Sequence, residues 1–181
     1  MQSHRAGEVK LYSLLLKQDD PRKCTSAKLS KFGILKPIYR SRQIPRYAIL
    51  LDPGAEVGFS HLDSNILDAG LVVVDCSWNR IIESFARRFP GQHRRLPFLL
   101  AANPVNYGHL SILSSAEALA AALYIGGFED QAKLVLSKFK WGPTFLTLNH
   151  DPLEDYKEAK NEQEISQLEK AYFPGTPAKG Y

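Results

Sequence analysis

Residues 71–76, LVVVDC, constrain the fold more than any other stretch of this 181-residue chain. The run is short, β-branched and almost wholly apolar, with Gly70 before it and Ser77-Trp78-Asn79 after it, which makes it a strand. A strand with no polar face is covered on both sides, so it belongs in the middle of a parallel sheet flanked by helices. Asp75, near its carboxyl end, must then be paired or open to a ligand cleft, because an isolated buried carboxylate is costly. Capping of the following turn is the structural alternative. Trp78, just beyond, is either a large apolar wall for a ligand or part of the core.

The neighbouring segments fit an α/β layer. Residues 9–16 (VKLYSLLL) read as a first strand stopped by Asp19-Asp20-Pro21, followed by a short helix that starts at Thr25 or Ser26 and stops at Gly33. A short edge element over residues 34–37 and a strand over residues 47–51 come next, the latter ended by Asp52-Pro53-Gly54. Residues 60–69 form a short helix stopped by Gly70, and residues 79–89 a helix with Ile81, Ile82, Phe85 and Phe89 on one side. Strands and helices alternate this far.

From Arg95 the pattern changes. The apolar run 96–102 reads as a buried strand entering a polar loop, residues 103–114, after which Ser115 offers an N-cap and the Ala-rich run to Ile125 is a helix stopped by Gly126-Gly127. A strand, a polar loop and a capped helix form the arrangement in which α/β proteins hold ligands. Beyond it the signals are helical: residues 128–138, 152–159 and 163–172, with a loop from Trp141 entering residues 145–149. The expected architecture is a mostly parallel sheet in the N-terminal half and a helical C-terminal half, divided as residues 1–95 and 96–181.

Charge follows the same division. Residues 1–95 carry 16 Lys and Arg against nine Asp and Glu, whereas residues 96–181 carry seven against ten. The first half is therefore the candidate for a polyanionic partner. Lys28, Lys31, Arg40, Arg42 and Arg46, interleaved with Phe32, Tyr39 and Tyr47, suit phosphate contacts beside base-stacking platforms; a solvated basic face is the alternative. Two scattered cysteines and five scattered histidines give no metal cluster and no disulfide framework. The sequence offers no membrane span and no secretory signal, so a cytoplasmic protein is expected.

Four separated motifs resemble the small-subunit ribosomal RNA aminocarboxypropyltransferases: Asp20-Pro-Arg-Lys-Cys-Thr25, Leu51-Asp-Pro53, Asp75-Cys-Ser-Trp78, and Leu96-Pro-Phe-Leu-Leu-Ala-Ala-Asn-Pro-Val-Asn-Tyr-Gly108 continuing to Ser115-Ala-Glu-Ala-Leu119. Two departures accompany them. His109-Leu110 stand where that family usually has Arg-Pro, and Ser115 stands where Thr is common.

The resemblance implies a knotted, SPOUT-like fold and transfer of the 3-amino-3-carboxypropyl group of S-adenosylmethionine to N3 of a (1-methyl)pseudouridine in small-subunit ribosomal RNA. It implies catalytic positions at Asp75 and Trp78, with Trp78 and Ile81 packing the donor's methyl. Thr25 and Ser115 would hold its carboxylate, and Leu51, Pro53, Leu96, Leu113 and Ala118 would line an adenine pocket. Asp75 would pair with the donor's amino group or lie near the uracil N3–H, with Asp63 as a second choice of proton acceptor. Ribosomal RNA or a pre-ribosomal particle is the implied partner of a monomeric enzyme. A SPOUT methyltransferase and a non-catalytic RNA-binding assembly protein are the competing readings.

Overall fold

A computed structural model describes residues 7–16, 24–75, 85 and 89–177. Its centre is one sheet of five strands: β1 (Leu11–Leu15), β2 (Lys36–Ile38), β3 (Ile49–Leu51), β4 (Leu71–Asp75) and β5 (Gln92–Arg94). The strand order is β2-β1-β4-β3-β5, and each pairing between these strands is parallel. The apolar run at residue 71 onward lies in the middle, as its two-sided apolarity requires. Leu71 and Val73 face one hydrophobic cluster and Val72 the other, and in β3 Ile49 and Leu51 divide from Leu50 in the same way. Gly70 admits the chain to β4 with φ +116°, at a point where a Cβ would fall 2.8 Å from the Tyr12 ring.

Helix α1 (Thr25–Lys31) follows β1, and α2 (Ser115–Ile125) packs on β4 and α1. Nearly every side chain of α2 is buried, so it is a core helix, apolar all round. Around it lie α3 (Glu129–Leu136), α4 (Gly142–Leu148), α5 (His150–Glu158) and α6 (Glu162–Tyr172). Members of the larger hydrophobic cluster run from Val9 to Ile165 and come from both halves of the chain.

Three local expectations are corrected. Residues 96–102 are not a sheet strand: apart from an antiparallel bridge between Leu100 and Leu110, their backbone is satisfied largely by side chains from elsewhere. The Asn149 amide bonds both the N–H and the carbonyl of Leu100, as a neighbouring strand would, while Glu169 accepts from the Phe98 N–H and Tyr156 donates to the Phe98 carbonyl. The sheet edge is occupied instead by Gln92–Arg94. The N-cap of α2 is Ser114 rather than Ser115, because the capping box needs its acid three residues on, at Glu117. The loop read after Trp141 is the short helix α4, with Pro143 in its first turn.

Residues 61–69 are helical as expected but wound as a tight 3-10 helix, His61–Ala69. Asp63 accepts from the Ser60 N–H to close its capping box and receives the Arg94 Nε at 3.0 Å. These bonds fasten β5 to the 3-10 helix and give Asp63 a structural part. Among the described residues, no helix is long and apolar enough to cross a membrane.

Candidate functional site

The carboxyl ends of β3 and β4, the start of α1, residues 95–106 and the start of α2 surround a cavity of about 390 Å3. Its size suits a small-molecule ligand, and its place is the crevice beyond the strand ends that parallel α/β sheets use for binding. Leu51, Pro53, Leu96, Leu113 and Ala118 line it, and so do Thr25, Asp75 and Ser115. Motifs far apart in sequence thus meet around one space. Trp78 and Ile81 lie outside the described residues.

Several polar groups at the rim are held by identifiable partners. Thr25, the first residue of α1, accepts the Ala116 N–H of α2 at 3.1 Å, which leaves the hydroxyl proton of Thr25 available for a further acceptor. Helix α2 directs the positive end of its dipole at the cavity, with Ser114 and Ser115 both on the wall. Glu117 is wholly buried and accepts from the N–H groups of Ala102, Asn103 and Ser114 and from the Asn103 amide. Asn103 in turn accepts from the Asn106 N–H, so residues 103–106 stand rigidly on the cavity wall. Ser111, also on the wall, has φ +58°, a left-handed backbone rare for a residue with a side chain.

Two acids face the cavity. Asp52, in the turn after β3, is fixed by the Gly54 N–H at 2.8 Å and by His93 Nδ1 at 2.7 Å, while the other ring nitrogen of His93 reaches the Phe89 carbonyl. Asp75, the last residue of β4, receives the Cys24 thiol on Oδ2 at 2.9 Å. Burial, and then the hydrogen bond to Asp75, push the Cys24 thiol up to about 11, so it stays protonated at neutral pH. Arg95 also lines the cavity, its guanidinium paired with Glu169 at 3.0 Å.

Sequence reasoning located Asp75 and the apolar lining but missed Cys24, Asp52, His93 and Glu117. For Glu117 a signal existed, the Ser-x-x-Glu spacing from Ser114. Cys24 and Asp52 stood inside the motifs at residues 20–25 and 51–53 without a role of their own, because the contacts that give them one, Cys24 with Asp75 and Asp52 with His93, join residues remote in sequence. Among the described residues, no group of three or more His, Cys, Asp or Glu is placed to hold a metal.

The basic residues Lys28 and Lys31 stand in the last turn of α1, at the end away from the cavity, and Arg40, Arg42 and Arg46 are exposed near the 3-10 turn Ser41–Gln43. Phe32, Tyr39 and Tyr47 are more than half exposed beside them. Lys138, from the other half of the chain, sits 5.4 Å from the centre of the Phe32 ring and extends this surface. Lys28, Lys31 and Phe32 belong to the end of α1, whose Leu29 packs into the larger hydrophobic cluster, whereas the segment that carries Tyr39, Arg40, Arg42, Arg46 and Tyr47 buries Ile44 and Ala48 in the smaller cluster across the sheet.

The family model described as "Ribosome biogenesis protein, C-terminal" matches residues 49–173. A 16S rRNA aminocarboxypropyltransferase of Methanosarcina mazei is 44% identical over 175 residues, covering 96% of this chain and all of the relative. One of Thermoplasma acidophilum is 49% identical over 166 residues, 91% of this chain and 99% of the relative. Among solved structures, the SAM-dependent rRNA:acp-transferase Tsr3 of Vulcanisaeta distributa superposes with a TM-score of 0.79 at 37% identity, covering 92% of this chain and 98% of that one.

Proposed function

The chain belongs to the family of 16S rRNA aminocarboxypropyltransferases, and from that premise we propose that it transfers the 3-amino-3-carboxypropyl group of S-adenosylmethionine to small-subunit ribosomal RNA. The observation that carries this reading to the residues is the convergence of Thr25, Leu51, Asp75, Leu96 and Ser115 on one cavity beyond the strand ends. The acceptor in this proposal is N3 of a (1-methyl)pseudouridine.

The residues around the cavity fit the donor. The apolar wall of Leu51, Pro53, Leu96, Leu113 and Ala118 suits an adenine ring, and the start of α2 with the Thr25 and Ser115 hydroxyls suits a carboxylate. When bound, S-adenosylmethionine supplies a sulfonium whose carbons are open to attack, so the protein selects the transferred group by which carbon it exposes. Trp78 has the bulk to cover the methyl in this reading. Asp75 either pairs with the donor's amino group or accepts the proton that the uracil N3 releases as the new carbon–nitrogen bond forms and the carbon–sulfur bond breaks, the sulfur leaving as 5′-methylthioadenosine.

Lys28, Lys31, Arg40, Arg42 and Arg46 take the RNA phosphates in the same proposal, and Phe32, Tyr39 and Tyr47 offer faces for unstacked bases. Residues 1–95 then carry the RNA face and residues 96–181 the donor loop. A SPOUT-like trefoil knot around that loop is part of the reading that the family resemblance implies. The enzyme is taken as a cytoplasmic monomer acting on ribosomal RNA or a pre-ribosomal particle.

Parallel incubations with carboxyl-labelled and methyl-labelled S-adenosylmethionine test the reaction. The carboxyl label should enter small-subunit RNA and the methyl label should not. Methyl label in the RNA would make the protein a methyltransferase, and neither label would leave an RNA-binding protein without this chemistry.

A further inference from the structure

Cys24 precedes α1, and its sulfur makes two hydrogen bonds with different consequences. It accepts the Ala27 N–H at 3.3 Å, capping the helix, and it donates to Asp75 Oδ2 at 2.9 Å across the sheet's carboxyl edge. Ser, Thr, Asp or Asn would cap a helix as well or better. The second bond is what ties this position to the cavity, since Cys24 and Asp75 both line it.

A proton kept on sulfur makes Cys24 a donor to the carboxylate, whereas a thiolate would repel it. Burial, the chief cause of the raised thiol value, maintains that state across the neutral range. Holding Oδ2 also fixes the rotation of the carboxyl group at the end of β4, where a small turn would redirect its other oxygen. The remaining charged groups on the wall have partners of their own: Asp52 is held by His93 and Arg95 by Glu169. Neither is bonded to Cys24.

We propose that Cys24 is a positioning residue for the transfer, its thiol orienting the Asp75 carboxylate. The proposal rests on the reading that Asp75 acts in aminocarboxypropyl transfer. It assigns α1 a double duty, since the helix that bears Lys28 and Lys31 at one end then sets the reactive carboxylate at the other.

Substitutions that preserve the cap but change the second bond isolate this role. In Cys24→Asp the new carboxylate caps α1 but repels Asp75; in Cys24→Ser the hydroxyl caps and donates; in Cys24→Ala both bonds go. Single-turnover transfer from labelled S-adenosylmethionine to small-subunit RNA, measured across pH, should fall about 10- to 100-fold in Cys24→Asp, the scale of one hydrogen bond to a charged group. The acidic limb of its profile should also move to higher pH, because a second negative charge favours protonation of Asp75. Cys24→Ser should recover most of the rate lost in Cys24→Ala.

In an Asp75→Asn background, Cys24→Asp should cost little further, because the cap is kept and no second carboxylate remains to be repelled, the mark of two residues acting through one contact. A Cys24→Asp enzyme with unaltered rate and profile, its melting temperature unchanged, would overturn the proposal. So would a serine variant no faster than the alanine one. If Asp75→Asn itself transfers normally, the role of Asp75 fails first; a crippled Asp75→Asn beside an indifferent Cys24→Asp refutes only the positioning role.

Discussion

Two helices begin at the same cavity and are capped in opposite ways. At α2 the cap is a closed system: Ser114 accepts from Glu117 N–H, and the buried Glu117 carboxylate gathers four N–H donors from residues 102, 103 and 114. At α1 the cap is a single sulfur that also reaches a cavity acid. A buried anion is tolerable when donors surround it, and at α2 that arrangement makes the loop and the helix one rigid body. At α1 the weaker cap couples the helix to Asp75. One helix start serves as architecture and the other as adjustment, and Thr25 joins them by accepting from Ala116.

The sharpest break of this contrast is Glu117→Ala. It strands three backbone N–H groups and the Asn103 amide in the interior, which should lower stability by at least about 4 kcal/mol and the melting temperature by about 8 to 16 °C. Because residues 103–106 form the cavity wall, binding of S-adenosylmethionine measured by calorimetry should vanish as well. Circular dichroism melts check the first half; a loss under about 1 kcal/mol would mean that the α2 cap is no more structural than the α1 cap.

Asp75→Asn approaches the same cavity from the other side. The shape is kept and the carboxylate removed, so stability should change little while single-turnover transfer drops about 10²- to 10⁴-fold if the acid takes the N3 proton. A variant that melts far lower than the parent would place Asp75 with Glu117, among the residues that build the site. A loss confined to the apparent affinity for the donor would instead assign it to the amino group.

How much of this was readable beforehand follows the range of the interactions. The run at residue 71 announced a central parallel strand because burial on both faces leaves a local mark, and the Ala-rich stretch after Ser115 announced a core helix for the same reason. The backbone of residues 96–102 misled because its partners are side chains at Glu117, Asn149 and Glu169, up to 71 residues away. Apolar periodicity reports that a segment is buried, not what completes its hydrogen bonds. Gln92–Arg94 carried no strand signal, being short and polar, and is held at the edge by β3. Family motifs brought Asp75 and Thr25 into view, yet the 51-residue separation of Cys24 from Asp75 hid their contact.

The exposed arginines around the 3-10 turn Ser41–Gln43 offer a test that should leave the cavity untouched. Reversing Arg40, Arg42 and Arg46 to Glu removes up to three phosphate contacts, so the slope of log affinity against log salt should become shallower by about 2 for single-stranded RNA. Donor binding should be unaffected. An unchanged slope in a filter-binding titration would move the RNA footprint elsewhere, with Lys138 beside Phe32 the first place to look.

The smallest effect belongs to the other end of α2, where Tyr124 donates to Glu154 and Lys157 bonds both Glu154 and Glu129. The Tyr124 hydroxyl, more than the Lys157 ammonium, holds the Glu154 carboxyl below its ordinary value. Its ionised form therefore favours the fold at any pH above the usual glutamate range. As the pH falls below that range the unfolded chain takes up its proton first, and the contribution disappears as the folded carboxyl titrates in turn. Because Glu154 is only partly buried, Glu154→Gln should cost less than about 1 kcal/mol at neutral pH, and the gap from the parent should close in acid urea titrations below about pH 4. A cost rivalling that of Glu117→Ala would show that α2 is anchored as firmly at its outer end as at the cavity, and the distinction between a helix start that builds the site and one that tunes it would lose its basis.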